Sequence, residues 1–222
     1  MMYELRPLSI QSANLRGFKR IISNIILWFY SWIVYPPVLL AANALGIVSA
    51  KVRDTIKLRA LKGIGPNSLK KSTEMSVWIH VASVGELEYA IPLIKAFELR
   101  KINCGVTFFS ISAMESVASL TKNYSNIAFS WPIPHDGFNA MRNFVTLLYK
   151  SGVRKLILIK YEAWPGMICW CERLGIEVIL VDALSPGFVT KILLKKISKI
   201  FLRYKSELDS FGIKFRNKTQ VL

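Results

Sequence analysis

The sequence contains few of the residues that bind metal ions or form disulfides. It has three cysteines, Cys104, Cys169 and Cys171, and two histidines, His80 and His135. Neither a C-x-x-C nor an H-E-x-x-H motif occurs, and three cysteines cannot all pair with one another. We therefore expect reduced cysteines that pack inside a domain facing the cytoplasm, and no metal site.

Motifs for nucleotides and nucleic acids are also missing. The sequence has no G-x-G-x-x-G and no P-loop, so it carries no nucleotide-binding fingerprint of its own. No helix-turn-helix, zinc-finger or RNA-binding aromatic motif is present. Nucleic-acid binding would rest on charge alone, and we expect no nucleic-acid partner.

Acidic residues are scarce: the sequence has 14 aspartates and glutamates and 30 lysines and arginines, which gives a net charge of +16. A chain this basic requires an anionic partner. A phosphorylated lipid in an anionic membrane surface could be that partner. The positive charge is concentrated in residues 51–71 and 191–218. In the second segment, lysines alternate with apolar residues and predict a basic amphipathic helix on a membrane surface; a solvated, lysine-rich face is the alternative.

Charged residues are absent from residues 21–50, which are rich in tryptophan and tyrosine. Such a run is a candidate membrane segment. Pro36 and Pro37 interrupt it, and at about 1.5 Å per residue the part before them is too short for a hydrocarbon core roughly 30 Å thick. Basic residues flank both ends, which favours an interfacial or re-entrant segment over a span. A kinked span and a buried helical hairpin are the alternatives, and we do not expect a cleaved signal peptide.

The remainder alternates between strand and helix patterns. Short apolar runs at residues 77–82, 105–110, 126–131, 155–159 and 177–181 predict strands, with helices between them. This order is typical of an α/β domain with a Rossmann-like, doubly wound parallel sheet. We expect a membrane-anchoring segment at residues 1–50, a basic linker at 51–76 and the α/β domain at 77–222. The strand ends, and with them Glu86, Ser110, His135, Glu162 and Asp182, should lie along one edge.

The first predicted strand leads directly to a candidate reactive group. It ends in the small residues Ser83 and Gly85, and Glu86 follows in the first turn of a helix. The helix dipole favours an ionised group there, and open α/β sheets bind ligands at this edge. A carboxylate that only caps the helix is the alternative, and the spacing alone favours it.

Several of these segments resemble the 3-deoxy-D-manno-octulosonic acid (Kdo) transferases, glycosyltransferases of Gram-negative bacteria that add Kdo to a lipid A precursor. Residues 80–86 and 91–94, H-V-A-S-V-G-E and I-P-L-I, are similar to that family's H-x-x-S-V-G-E and I-P-L-I/V. Further similar segments follow in the family's order: F-S-I-S-A-M-E at 109–115, P-H-D at 134–136, K-Y-E-A-W-P at 160–165 and D-A-L-S at 182–185.

The resemblance implies the N-terminal half of a GT-B glycosyltransferase, with Glu86 as the catalytic base. It implies CMP-Kdo as donor, a lipid A precursor as acceptor, no cofactor or metal, and a location on the cytoplasmic face of the inner membrane. The residues that it assigns to acceptor binding are His80, Ser83, Gly85, Ser110, Ser112, Asp136, Glu162 and Asp182. Structural roles are the alternatives for several of them: the serines as helix caps, and Asp136 as a cap for a helix that begins at Gly137.

The sequence departs from the family pattern in three ways. Lys160 stands where the family has a glutamate associated with transition-state stabilisation, which inverts the charge. The arginine of the family's N-A-R-L-S segment has no counterpart after Ala183. We also expect the C-terminal donor-binding domain to be absent, so that a separate chain would have to supply it. A truncated, non-catalytic membrane module that binds the lipid acceptor or a partner is therefore the alternative function.

Overall fold

A seven-stranded parallel sheet forms the centre of the protein, in the order β3-β2-β1-β4-β5-β6-β7. The computed structural model describes residues 25, 27–60, 75–160, 164–183, 193–202 and 219–221. The first six strands follow the strand order of a Rossmann fold, with β1 and β4 adjacent at the point where the order reverses. The predicted α/β class and the doubly wound parallel sheet are confirmed.

Five of the strands lie where the apolar runs predict them, and two were not predicted. The strands are β1 (Val77–Val81), β2 (Cys104–Phe108), β3 (Ile127–Pro132), β4 (Lys155–Ile159), β5 (Glu177–Val181), β6 (Lys199–Leu202) and β7 (Thr219–Val221). Every residue of β1 and β2 is buried, as expected for strands covered by helices on both faces.

Six α-helices are described: α1 (Tyr35–Val48), α2 (Ala50–Arg59), α3 (Val84–Leu99), α4 (Ile111–Asn123), α5 (Phe138–Lys150) and α6 (Pro165–Leu174). Two separate apolar clusters show which face of the sheet four of them cover. Leu87 of α3 and Val117 of α4 belong to one cluster. Phe144 of α5 and Ile168 of α6 belong to the other. The sheet is therefore sandwiched between two helical layers.

The basic amphipathic helix predicted within residues 191–218 is wrong for the part that the structure describes. A short 3₁₀ helix, Leu194–Lys196, is followed by β6. Ile200 and Leu202 are fully buried in the core, and Lys196 forms an ion pair with Glu172 of α6. The described part of this segment therefore forms a short 3₁₀ helix and a strand of the sheet, and residues 191–192 and 203–218 lie outside the described part.

The N-terminal helix continues through the proline pair, so the prediction that the pair interrupts it is wrong. A π-helical turn, Tyr30–Val34, immediately precedes α1, and the Tyr35 amide donates to the Tyr30 carbonyl, five residues back. This wider turn lets the helix accommodate two residues that lack an N–H. The continuous helix Leu27–Val48 has 22 residues, and its most apolar 18-residue window has a mean hydropathy of 1.6. At about 1.5 Å per residue it is long enough to cross a hydrocarbon core of roughly 30 Å.

This helix is not a core helix of the domain. Only 17% of its most apolar window is buried, which argues against the buried hairpin among the sequence alternatives. The exposed side chains include Leu40, which is 73% exposed, and Ile47, which is 79% exposed. A long apolar helix with this much exposure matches the composition of a membrane-associated segment.

The first part of the predicted basic linker is helical. Ser49 separates α1 from α2, and its hydroxyl accepts a hydrogen bond from the Val52 amide at 3.4 Å, which caps α2. Gly46 allows a close approach of the two helices, because a Cβ there would lie 3.4 Å from the Arg53 Cα. α1 and α2 thus form a helical hairpin.

Candidate active site

The carboxyl ends of β1 and β4 frame a crevice. The chain passes from β1 to α3 on one face of the sheet and from β4 to α6 on the other. In open α/β sheets, ligands bind where two neighbouring strands diverge in this way. Glu86 follows β1 and Lys160 follows β4, so these two residues lie at that point.

Glu86 lies in the first turn of α3 and is 8% exposed. Its Oε2 accepts a hydrogen bond from the Ala82 amide at 2.6 Å. The Ser83 hydroxyl in turn accepts a 3.4 Å hydrogen bond from the Glu86 amide and caps the helix. The two side chains satisfy backbone donors of the turn reciprocally, which fixes the carboxylate at the sheet edge.

Three influences act on the pKa of Glu86. Burial is the largest and raises the pKa above its usual value, while the hydrogen bond from Ala82 and the positive charge of Lys160 lower it. The net direction is upward. The Lys160 Nζ lies 4.1 Å from the centre of the Tyr89 ring, which holds the ammonium group beside α3. A base at this position is therefore accompanied by a cation.

Gly85, the residue before Glu86, is exposed. A Cβ atom there would meet no atom within 4 Å apart from its chain neighbours and the backbone of its own helix.

Ser110 and Ser112 lie beside this turn. The amides of Phe109 and Ser110 donate to the carbonyls of Val81 and Ala82, which joins the end of β2 to the end of β1. The two serine hydroxyls are 2.9 Å apart. Ser110 occupies the N-cap position of α4, yet its side chain caps no amide, which argues against the capping alternative. The assignment of the two serines to acceptor binding stays a prediction.

Asp136 joins separate elements instead of capping the nearest helix. Its two carboxylate oxygens accept hydrogen bonds from the amides of Gly166 and Met167, at 2.8 and 2.9 Å. It thus caps α6, which argues against the alternative of a cap for the helix beginning at Gly137. The assignment of Asp136 to acceptor binding stays a prediction. The Tyr30 side chain also hydrogen-bonds to this carboxylate, and burial raises the pKa of Asp136 to about 7.

His80 lies inside the sheet. It is fully buried, and its Nδ1 is 2.9 Å from Thr107 Oγ1, which also accepts a 2.7 Å hydrogen bond from Trp78 Nε1. Burial lowers the pKa of His80 to about 3, so the ring is neutral at physiological pH. Direct contact with an acceptor would require movement of side chains, and the assignment of His80 to acceptor binding stays a prediction.

Two of the predicted residues lie further along the edge or outside the described part. Asp182 follows β5 and is 5% exposed. Both Asp182, at φ 54°, and Lys160, at φ 63°, adopt the left-handed conformation, which costs a non-glycine residue energy and is found preferentially at functional sites. Glu162 is outside the described residues.

A group of residues that sequence reasoning missed is centred on Arg59. Its Nε and Nη2 donate to the carbonyls of Ile133 and Pro134, at 3.2 and 3.0 Å. The guanidinium carbon lies 4.3 Å from the centre of the Phe109 ring, which stacks on Trp164 with 5.5 Å between ring centres. Arg59 therefore attaches α2 to the sheet edge. The two carbonyl partners are more than 70 residues from Arg59 in sequence and Phe109 is 50 residues away, so no local pattern connects them.

A cavity of about 370 Å³ lies between the helical hairpin and the sheet edge. Its walls come from α1, α2 and the segments that follow β2, β3 and β4, and they include Phe109, Ser110 and Trp164. Because Ser110 also neighbours Ala82, the cavity adjoins the turn that holds Glu86.

Within the described ranges, no three His, Cys, Asp or Glu side chains lie close enough to hold a metal ion. The independence from metals that the family resemblance implies stays a prediction.

The chain is similar in sequence to known transferases. The family model described as "3-Deoxy-D-manno-octulosonic-acid transferase (kdotransferase)" matches residues 56–207, which is more than half of the chain. A 3-deoxy-D-manno-octulosonic acid transferase of Aquifex aeolicus is 28% identical over 157 residues, covering 70% of this chain and 42% of that protein. A bifunctional glycosyltransferase/methyltransferase of Fusobacterium nucleatum is 24% identical over 182 residues, covering 77% of this chain and 28% of that protein. No solved structure matches significantly.

Proposed function

Because the chain belongs to the 3-deoxy-D-manno-octulosonic-acid transferase family of glycosyltransferases, we propose that it transfers Kdo from CMP-Kdo to a lipid A precursor, with Glu86 as the general base. The observation that supports this role most strongly is the position of the Glu86 carboxylate. It is held by the Ala82 amide at the point where β1 and β4 diverge, with open space beside Gly85.

In the proposed reaction, Glu86 accepts the proton of an acceptor hydroxyl as that oxygen attacks the anomeric carbon of Kdo. The new carbon–oxygen bond forms while the bond to the phosphate of CMP breaks, and CMP leaves with the bonding electron pair. Attack opposite the leaving group inverts the anomeric centre. General-base catalysis of this type contributes about 100-fold to 10,000-fold to the rate.

Lys160 gives the proposed site a charge that differs from the family pattern. Its ammonium group favours the ionised form of Glu86, which is the form that accepts a proton. A cation at the crevice also attracts phosphate and carboxylate groups of the substrates. We propose that Lys160 supports the base and the binding of anionic substrates, and that it does not perform the role of the family's glutamate.

The chain spans less than half the length of both relatives. The proposed base and the proposed acceptor side of the crevice lie among the described residues. We propose that CMP-Kdo binds either to this chain or to this chain together with another one.

Kdo transfer by the purified protein tests this function. Radiolabelled Kdo from CMP-Kdo should appear in the lipid A precursor, and Glu86→Gln should lower the rate by about 100-fold or more, because an amide cannot act as a base. Glu88→Gln is the matched control, since Glu88 is exposed on the same helix. Absence of turnover by the unaltered protein, or equal rates for Glu86→Gln and Glu88→Gln, would contradict the proposed mechanism.

A non-catalytic acceptor-binding module is the second candidate, and Lys160 is the observation that favours it. If the protein only binds, a phosphorylated lipid A precursor should bind saturably, with an affinity that Glu86→Gln leaves intact and that falls as salt screens the charges. Kdo transfer would then be undetectable with either form of residue 86.

We also propose that the protein works at the cytoplasmic face of the inner membrane, with an anionic membrane surface as partner. Its support is the long, exposed and apolar helix Leu27–Val48, which is followed by the basic helix α2. A helix of this kind next to positive charge suits a membrane with anionic headgroups.

A further inference from the structure

We propose that the cavity between the helical hairpin and the sheet edge holds one acyl chain of an anionic membrane lipid. The inference deepens the proposed function, since it specifies where the lipid part of an acceptor is held. The cavity volume of about 370 Å³ lies within the range of small-molecule sites, roughly 300–1,000 Å³.

The walls of the cavity are predominantly apolar. Aliphatic side chains line it from both helices of the hairpin, and two stacked aromatic rings, Phe109 and Trp164, line it from the sheet edge. The aliphatic lining residues are Val38, Leu39, Ala42, Val52 and Ile56. A hydrocarbon chain gains by transfer from water to such a surface.

The cavity opens next to the part of the molecule suited to contact a bilayer. Val38 lines the cavity and is also 54% exposed. It belongs to the helix whose remaining surface exposes large apolar side chains such as Leu40 and Ile47. If that surface contacts lipid, an acyl chain can enter past Val38 without crossing water.

Charge at the cavity favours a lipid with an anionic headgroup. Lys51 is exposed and contributes to the wall, and Arg53 and Lys57 are exposed on the same helix. Arg59 adds a buried positive charge to the lining. An acyl chain in the cavity would place its phosphate within reach of the α2 lysines and arginines.

A peptide is a poorer occupant of this space. Each peptide residue brings an N–H and a C=O that must be paired when buried, and the aliphatic and aromatic walls provide few partners. A hydrocarbon chain requires none.

Photochemical cross-linking tests the inference without sugar transfer. The full chain is mixed with phosphatidylcholine vesicles that contain phosphatidic acid with a diazirine at the end of one acyl chain, and the adducts are located by mass spectrometry. We expect adducts on Phe109 or Trp164 at the sheet edge. Adducts confined to outward-facing residues such as Leu40 and Ile47 would overturn the inference, because they require only surface contact.

Two substitutions of the same residue type provide a matched pair. Ala42→Trp fills the cavity and should abolish the sheet-edge adducts, whereas Ala44→Trp lies on the exposed part of α1, outside the lining, and should preserve them. Unlabelled lysophosphatidic acid should compete for the same adducts and glycerol phosphate should not. Persistence of the sheet-edge adducts in Ala42→Trp, or competition by glycerol phosphate, would refute an acyl-chain site. Kdo transfer is measured separately, so a failed transfer reaction leaves this result interpretable.

Discussion

The Glu86 carboxylate combines a structural and a proposed chemical role. Its hydrogen bond with the Ala82 amide stabilises the turn, as an ordinary capping group would. Its burial raises the pKa, and the nearby Lys160 opposes that shift. A group that is both fixed in position and raised in pKa is suited to accept a proton near neutral pH. The two roles are therefore compatible at one residue.

The pKa of Glu86 should depend on Lys160. Lys160→Met removes a positive charge that favours the carboxylate, so the pKa of Glu86 should rise further. A base must be ionised to act. As the solution is acidified, the rate of Kdo transfer should therefore begin to fall at a higher pH in Lys160→Met than in the unaltered protein. NMR titration of the Glu86 carboxyl carbon measures the same shift without catalysis.

Lys160→Arg is the control, because it retains the charge. Its titration should resemble that of the unaltered protein. Identical Glu86 titrations in Lys160→Met and Lys160→Arg would contradict the electrostatic coupling of these two residues.

At the scale of elements, local sequence patterns predicted what short-range interactions determine. The apolar runs identified β1 to β5, and the S-V-G-E segment correctly placed Glu86 in the first turn of a helix. Contacts between residues that are distant in sequence were not predicted. Asp136 caps α6 through Gly166, 30 residues further on, because α5, which begins just after Asp136, packs against α6. The helix and strand propensities of the local sequence carry no information on that packing.

The two wrong element predictions have related physical causes. The proline pair was expected to break the helix, and a π turn compensates for the missing N–H groups instead. The basic segment was assigned a helical period, but tertiary packing made it the strand β6, with Ile200 and Leu202 buried. In both cases a short sequence pattern was compatible with two structures: a local π turn kept the proline-containing segment helical, and packing in the sheet made the basic segment a strand.

The attachment of α2 to the sheet edge should depend on the guanidinium group of Arg59. Arg59→Lys keeps the charge but loses the planar stacking on Phe109 and the paired hydrogen bonds to Ile133 and Pro134. We expect the free energy of unfolding to fall by about 1–3 kcal/mol, since buried carbonyl groups lose their partner. Urea unfolding in detergent, followed by circular dichroism, measures the change.

Arg53→Lys is a matched control on the same helix. Arg53 is exposed, and its Cα and Cβ, which approach Gly46, are retained in lysine. This substitution should change the free energy of unfolding by less than about 0.5 kcal/mol, as is usual for surface positions. Equal losses in the two variants would show that the stacked guanidinium of Arg59 contributes nothing specific.

At the scale of the whole molecule, two kinds of surface should contribute to membrane binding. The net charge of +16 attracts anionic headgroups, and this attraction is screened over about 8 Å at physiological salt and about 3 Å at 1 M. The exposed apolar helix Leu27–Val48 adds a contribution that salt does not weaken. Co-sedimentation with phosphatidylglycerol vesicles should therefore show strong binding at low salt that falls to a lower plateau as salt is added.

Separate variants distinguish the two contributions. Neutralising Lys51, Arg53 and Lys57 together with glutamine should reduce the salt-sensitive part, since all three are exposed on α2. Replacing Leu40 and Ile47 with serine should lower the plateau, because both expose apolar surface. A plateau that serine substitutions leave unchanged would exclude this helix as the apolar contact. Complete loss of binding at high salt would exclude any apolar contribution, and the protein would then be held at the membrane by charge alone.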